Sequence, residues 1–141
     1  MRTRVGFIGL GIMGKPMARN LIKAGSKMGE LFIDMSTINP IVSRKISKEL
    51  SAAGVAMVDA PAIAGEKGAI EGTLSIMAGG EFQDSDRSLP ILNAPGKTIT
   101  NMGALGTGGF TKLANQIIVA INLIAISEAL VFGKKAGVDP E

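Results

Sequence analysis

Lysine, the carboxylates and the hydroxyls are the reactive side chains available to this chain, because its 141 residues include no His, Cys, Trp or Tyr. A Ser-His-Asp triad, a cysteine nucleophile, a Cys/His zinc site and a disulfide framework are therefore excluded. A carboxylate-only metal site remains conceivable, but no spacing suggests one, so no metal ligand is assigned. The most specific pattern is Gly9-Leu10-Gly11-Ile12-Met13-Gly14. It follows an apolar segment, Arg4–Ile8, that reads as a short buried strand, and it opens a helical pattern running to Ala24. That spacing suits a diphosphate: one glycine for the tight turn, one for close backbone approach, one for helix–strand packing. The helix N-terminus adds free N–H groups and partial positive charge. A glycine-rich strand-to-helix turn with no ligand is the plainer alternative. Asp34 stands twenty residues after Gly14 at the end of Leu31-Phe32-Ile33, where a ribose-binding acid would be sought.

The elements that must position these groups follow from periodicity and punctuation. Leu31–Met35 reads as a strand, and a helix from Pro40 to about Ala53 is capped by Asn39 or Ser36 and stopped by Gly54. Val55–Asp59 reads as a strand bounded by Pro61, and Thr73–Ala78 as another before Gly79-Gly80. Glu81–Asn93 is expected to be helical with Pro90 as a kink or break, and Lys97–Met102 to be a last short strand. Glycines 103, 106, 108 and 109 read as a loop, and Phe110–Ala136 as one long helix of about 40 Å. Val138–Glu141 resembles the start of a further helix. Alternating strands and helices predict an α/β fold with a largely parallel sheet, followed by a long C-terminal helix. The alternation fills residues 1–109, and residues 110–141 hold the long helix.

Composition permits a packed core, with 46% hydrophobic and 19% charged residues. A formal charge of +3, with scattered lysines and arginines and only five Phe as aromatics, gives no basic stripe with stacking rings, so no nucleic-acid partner is expected. Two apolar stretches imitate membrane signals. Val5–Met13 follows two arginines like a signal peptide, but its glycines suit a turn, so the chain is expected to be cytoplasmic. Leu113–Phe132 has the length of a membrane span. However, Lys112, Asn115, Gln116 and Asn122 gather on about a third of the helix, which favours a core helix bordering a site over a membrane partner.

Together these stretches resemble the β-hydroxyacid dehydrogenases. Val5–Met17 is similar to that family's opening segment. Ile33-Asp34-Met35-Ser36-Thr37 resembles its D-x-S-T segment, and Asp59-Ala60-Pro61 with Gly72-Thr73-Leu74 its substrate loop. Gly103-x-x-Gly106-x-Gly108-x-x-x-Lys112 resembles its catalytic motif. Lys112–Ala120 and Ser127–Leu130 look most like the tartronate semialdehyde reductase branch. The resemblance implies NAD or NADP as cofactor, bound by Gly9, Leu10, Gly11, Ile12, Met13, Gly14 and Thr37. It implies Lys112 as the catalytic acid, with Ser36, Ala64, Gly65, Asn115 and Gln116 near the substrate. The implied reaction is hydride transfer on a small hydroxyacid or semialdehyde, tartronate semialdehyde to glycerate, with 3-hydroxyisobutyrate as the alternative substrate. The implied domains are residues 1–109, a shortened Rossmann-like nucleotide-binding unit, and residues 110–141, the long helix that opens an all-α unit, and the implied assembly is a homo-oligomer through that apolar helix.

The departures are specific. Relatives carry roughly sixty more residues between the first helix and the D-x-S-T strand, where the rest of the nucleotide fold lies. By resemblance Leu31–Asp34 is then the fifth strand rather than the second, Asp34 is not the ribose acid, and Leu31–Met35 is expected to pair with Arg4–Ile8. Ile63 and Ala64 stand where relatives have a serine and a glycine. The alternative reading is therefore an inactive remnant that at most binds nucleotide or self-associates.

Overall fold

A computed structural model describes Asn20, residues 31–52 and residues 54–139. The strand expected at Arg4–Ile8, its pairing with Leu31–Met35 and the glycine turn Gly9–Gly14 lie outside the described residues.

Strand β1 (Leu31–Asp34) leads to helix α1 (Pro40–Ala52). The Asn39 side chain accepts the Ile41 N–H at 3.0 Å. Proline takes the first helical position, where its missing donor costs nothing. The helix closes on Gly54, at φ +75°, with Gly54 N–H bonded to Ser51 O and Val55 N–H to Leu50 O. That is a left-handed glycine stop with both of its characteristic reverse bonds.

Strand β2 (Ala56–Asp59) pairs in parallel with β1, from Leu31 opposite Ala56 to Asp34 opposite Asp59. The chain then runs on through Pro61 into β3 (Ala62–Ile63), antiparallel to β4 (Leu74–Gly79). Asp59 opposes Gly79, Ala62 opposes Ile76 and Ile63 opposes Ser75, with Met77 N–H bonded to Pro61 O between them. Residues 59–63 therefore keep one register along β4. On its other edge β4 pairs in parallel with β5 (Gly96–Gly103). The long ladders are parallel, as expected, and the antiparallel run through 59–63 is the addition.

Two elements went unrecognised in the sequence: β3, and the short helix α2 (Gly65–Glu71) that follows it. With two glycines in seven residues, α2 has no apolar period. It is held because Gly68 and Ala69 are buried, and a Cβ on Gly68 would come within 3.2 Å of Leu74. Helix α3 (Phe82–Leu92) contains Pro90 without ending there. The carbonyl that Pro90 cannot serve belongs to exposed Asp86, where water can take it.

The core lies between these layers. Val58, Ala60, Ala69, Leu74, Ile76, Ala78 and Leu92 are buried together, with Leu31, Ile33, Met35, Ala62 and Ile99 packed around them.

Helix α4 (Thr107–Lys135) begins three residues earlier than the expected Phe110, so Gly108 and Gly109 lie in its first turn rather than in a loop. Val138 and Asp139 are not helical. The core-helix expectation also needs correction. Only Gly108 of α4 is buried, and Ile117, Ile121 and Ile124 are each about 60% exposed. The sheet reaches the first turns of the helix and stops there. By length and composition alone α4 could cross a membrane.

Candidate active site at the start of the last helix

Asp59 ends β2 with its side chain almost wholly buried, 2% exposed. Its carboxylate grips the N-terminus of α4: the Gly106 N–H donates to Oδ1 at 2.5 Å and the Gly109 N–H to Oδ2 at 2.7 Å. Both are donors that the helix itself cannot satisfy, and the negative charge faces the positive end of the helix dipole. Burial pushes the Asp59 pKa above its ordinary 3.8, and the negative charge of Asp34 adds to that, while the Gly106 and Gly109 N–H bonds act against it.

Glycine is required where helix meets strand. A Cβ on Gly108 would lie 2.9 Å from both Asp59 O and Asp59 Oδ2, and one on Gly79 would lie 2.9 Å from Ala104 O and Gly108 N. The motif glycines thus serve the approach of α4 to the sheet. From the outer side the Arg44 Nε–H donates to Leu105 O at 2.9 Å, with its guanidinium 5.2 Å from the Phe110 ring centre.

Lys112 follows Gly109 by one helical turn and so projects toward the same sheet edge. It is half-buried, and its Nζ donates to Ala62 O of β3 at 2.9 Å. Burial lowers its pKa from the ordinary 10.5. Asn115 and Gln116 occupy the next turn, where Asn115 Nδ2 approaches Gln116 Oε1 at 3.5 Å. Asn115 is partly exposed and Gln116 exposed, which leaves their amides accessible to a ligand.

Just beyond the Lys112 acceptor, Ala64 and Gly65 turn the chain from β3 into α2. Ala64 has φ +100°, the one non-glycine in the left-handed region among the described residues. Such a conformation costs an L-residue about 1–3 kcal/mol. Its carbonyl accepts the Gly68 N–H at 3.1 Å.

Ser36 and Thr37 are exposed at the carboxyl end of β1. The Ser36 N–H donates to Asp34 Oδ1 at 3.0 Å, and its hydroxyl donates to the same oxygen. Asp34 is therefore occupied by its own turn, and the ribose reading of that carboxylate finds no support. Asp34 faces Asp59 in the β1–β2 register. Ser36, Asp34, Asp59, the start of α4 and Lys112 accordingly form one connected edge. The sequence did not single out Asp59 or Arg44 for these roles, and no local pattern could have, since their partners lie 47 to 61 residues away. Gly9, Leu10, Gly11, Ile12, Met13 and Gly14 lie outside the described residues. Among the described residues no group of three potential ligands could hold a metal.

A nicotinamide dinucleotide can be tested against this edge. In α/β sheets ligands bind at the carboxyl ends of the strands. There the chain presents the exposed Thr37 hydroxyl, the Ser36 hydroxyl oxygen as an acceptor and the partly desolvated Lys112 ammonium, polar groups that fit a nicotinamide and a carbonyl substrate.

Comparison with known proteins shows what the chain as a whole is similar to. Residues 4–28 and 25–103 match the family model described as the NAD binding domain of 6-phosphogluconate dehydrogenase. Residues 106–141 match that of the NAD-binding region of NADP-dependent 3-hydroxyisobutyrate dehydrogenase. The 2-hydroxy-3-oxopropionate reductase of Escherichia coli K12 is 35% identical over 97% of this chain and 67% of its own length. The mitochondrial 3-hydroxyisobutyrate dehydrogenase of Bos taurus is 29% identical over 99% of this chain and 60% of its own length. The first of these alignments occupies 196 positions, more than the 141 residues present, so the relative carries segments that this chain lacks. The two overlapping parts of the first family match meet at residues 25–28, where the sequence suggests the gap. Among solved structures, the Mycobacterium tuberculosis 3-hydroxyisobutyrate dehydrogenase with L-serine superposes with a TM-score of 0.93 at 27% identity, covering 99% of this chain and 68% of that one.

Proposed function

The chain belongs to the β-hydroxyacid dehydrogenase family, and we propose that it works as a nicotinamide-dependent reductase of a small hydroxyacid or semialdehyde, with tartronate semialdehyde preferred over 3-hydroxyisobutyrate. The observation that carries this reading is the Lys112 ammonium, half-buried and held 2.9 Å from the Ala62 carbonyl at the start of α4. The substrate preference rests on the similarity of Lys112–Ala120 and Ser127–Leu130 to the reductase branch, and on the 35% identity to the E. coli enzyme.

When bound, NAD(P)H supplies the hydride that a carbonyl carbon accepts. The protein must provide a proton for the carbonyl oxygen as negative charge develops there. Lys112 can do so, because it carries a transferable proton, its charge stabilises an oxyanion, and partial desolvation makes the proton easier to release. A substrate oxygen would replace Ala62 O as its acceptor. Asn115 and Gln116, three and four residues on, lie within reach of the same ligand. Ser36 and Thr37 would flank the nicotinamide, and Gly9 to Gly14 would seat the diphosphate. Ala64 and Gly65 would form the substrate turn, with Ile63 offering no hydroxyl to a substrate carboxylate. We take residues 1–109 as the nucleotide-binding unit and 110–141 as the helix that leaves it, and we place the protein in the cytoplasm. Since α4 falls inside the dehydrogenase match over 106–141, we read its apolar faces as protein contact rather than membrane anchor, with self-association as the expected use.

Calorimetric titration with NADH and with NADPH tests the reading. Binding of one in the micromolar range is expected, and binding of neither would remove it. Given binding and turnover, Lys112→Ala should lower kcat by about 10²–10⁴-fold, the usual loss of a general acid. A variant with full turnover would remove the mechanism.

A further inference from the structure

We propose that Asp59 is the positioning residue for Lys112: its buried carboxylate sets where α4 starts, and thereby where the ammonium stands. The proposal rests on the reading of Lys112 as the acid, but the geometry behind it does not. One stretch of chain does two things. Asp59 binds the Gly106 and Gly109 N–H groups, and three residues later Ala62 presents the carbonyl that receives Lys112 Nζ. Gly109 and Lys112 are one turn apart, so they share a helix face, and both meet the run 59–63 that pairs in one register along β4. Anchor, helix turn and lysine thus close a short loop of contacts in which no link is flexible except the lysine side chain.

The packing leaves little freedom at the anchor. Gly79 and Gly108 have no room for a Cβ beside Asp59, so the helix start cannot slide along the carboxylate without a clash. Arg44 holds the preceding carbonyl, Leu105 O, from the outer side. Removing the charge at Asp59 leaves the sheet intact but orphans at least one buried N–H. An amide there offers one acceptor oxygen to two donors, and its NH₂ faces the second donor. The helix start must then shift or open, and Lys112 loses its fixed distance to β3. An alternative in which Asp59 only stabilises the fold predicts lost stability with an unchanged lysine.

The test reads the lysine directly and does not need turnover. Competitive labelling of the intact chain with acetic anhydride across a pH series gives the midpoint at which the Lys112 amine becomes reactive. In the wild type it should lie below the ordinary 10.5 of a lysine. In Asp59→Asn it should rise toward that value as the amine moves into water. The comparison is Gly54→Ala, which strains the left-handed stop at the far end of α1, with nothing within 4 Å of the added methyl, and costs about 1–2 kcal/mol of stability. That variant should leave the midpoint where it was. A folded Asp59→Asn with an unshifted midpoint overturns the proposal, as does an equal shift in Gly54→Ala.

Should Asp59→Asn fail to fold, the wild type answers in graded urea. Lys112 should become fully reactive in step with loss of amide protection at Gly106 and Gly109, ahead of the amides of β4. Full reactivity while those amides stay protected, or only at global unfolding, overturns the proposal. A chain in which the labelling behaves as expected but Lys112→Ala keeps full turnover would instead remove the functional reading and leave the positioning intact.

Discussion

Two residues on the edge beside α4 sit in states that ordinary sequence preferences disfavour. Ala64 holds φ +100° where glycine would be unstrained. Ala64→Gly should therefore raise stability by about 1 kcal/mol, the relief of strain less the added freedom of glycine in the unfolded chain. Urea unfolding checks this, and a destabilised variant would mean the alanine methyl contributes packing that outweighs its strain. Asp59 is the second. Its pKa is raised in the folded chain, burial being the main cause, so between 3.8 and the folded value the native state binds more protons than the unfolded one. Stability from this group is then fully present below pH 3.8 and is lost as pH rises through the folded pKa. Carboxyl NMR should find the Asp59 midpoint above 3.8, and Asp59→Asn should flatten the fall of stability across that window. A midpoint below 3.8 would reverse the sign and place the two N–H bonds ahead of burial.

Glycines set the start of α4 and the end of α1 by two different physical means. At Gly108 the obstacle is space, with Asp59 O and Oδ2 each 2.9 Å from a would-be Cβ. At Gly54 it is conformation alone, since φ is +75° and nothing lies within 4 Å. Gly54→Ala should accordingly cost about 1–2 kcal/mol. Gly108→Ala should cost about 1–3 kcal/mol by overpacking and should also raise amide exchange at Gly106 and Gly109. Exchange that rises in Gly54→Ala but not in Gly108→Ala would contradict that division. The antiparallel run 59–63 belongs to this scale too. It makes β4 the strand on which both halves of the sheet depend, and it carries Ala62 to the place where Lys112 meets it.

For the molecule as a whole, the unusual feature is a 29-residue helix of which only the first turns touch the sheet. Isoleucines at 117, 121 and 124 leave an exposed apolar stripe, with Phe132 exposed further along the helix beyond Glu128, the kind of surface that usually marks contact with a partner. Gel filtration at about 10–100 μM, the range of weak association, should show a species larger than the 14.5 kDa chain. Ile121→Lys with Phe132→Lys should shift it toward the monomer. A wild-type monomer across that range would contradict self-association. The chain spans 60–67% of the lengths of the E. coli and bovine relatives.

The sequence by itself determined the local elements and the family. Asn39-Pro40 and Gly54 bound α1, the alternation in 73–78 marks β4, and the glycine pattern with Lys112 points to a dehydrogenase, because caps, turns and periodicity act over a few residues. It left α2 unread, since two glycines erase its apolar period and much of what holds it is burial of Gly68 and Ala69 beside Leu74. It also placed Gly108 and Gly109 in a loop, although the helix is extended to them by a carboxylate 50 residues earlier in the chain. Only the tertiary structure decided that Asp59 anchors α4 and that most of α4 stands clear of the sheet. Each depends on which surfaces meet across a long separation in sequence, and pairwise burial of that kind leaves no periodic trace in the residues themselves.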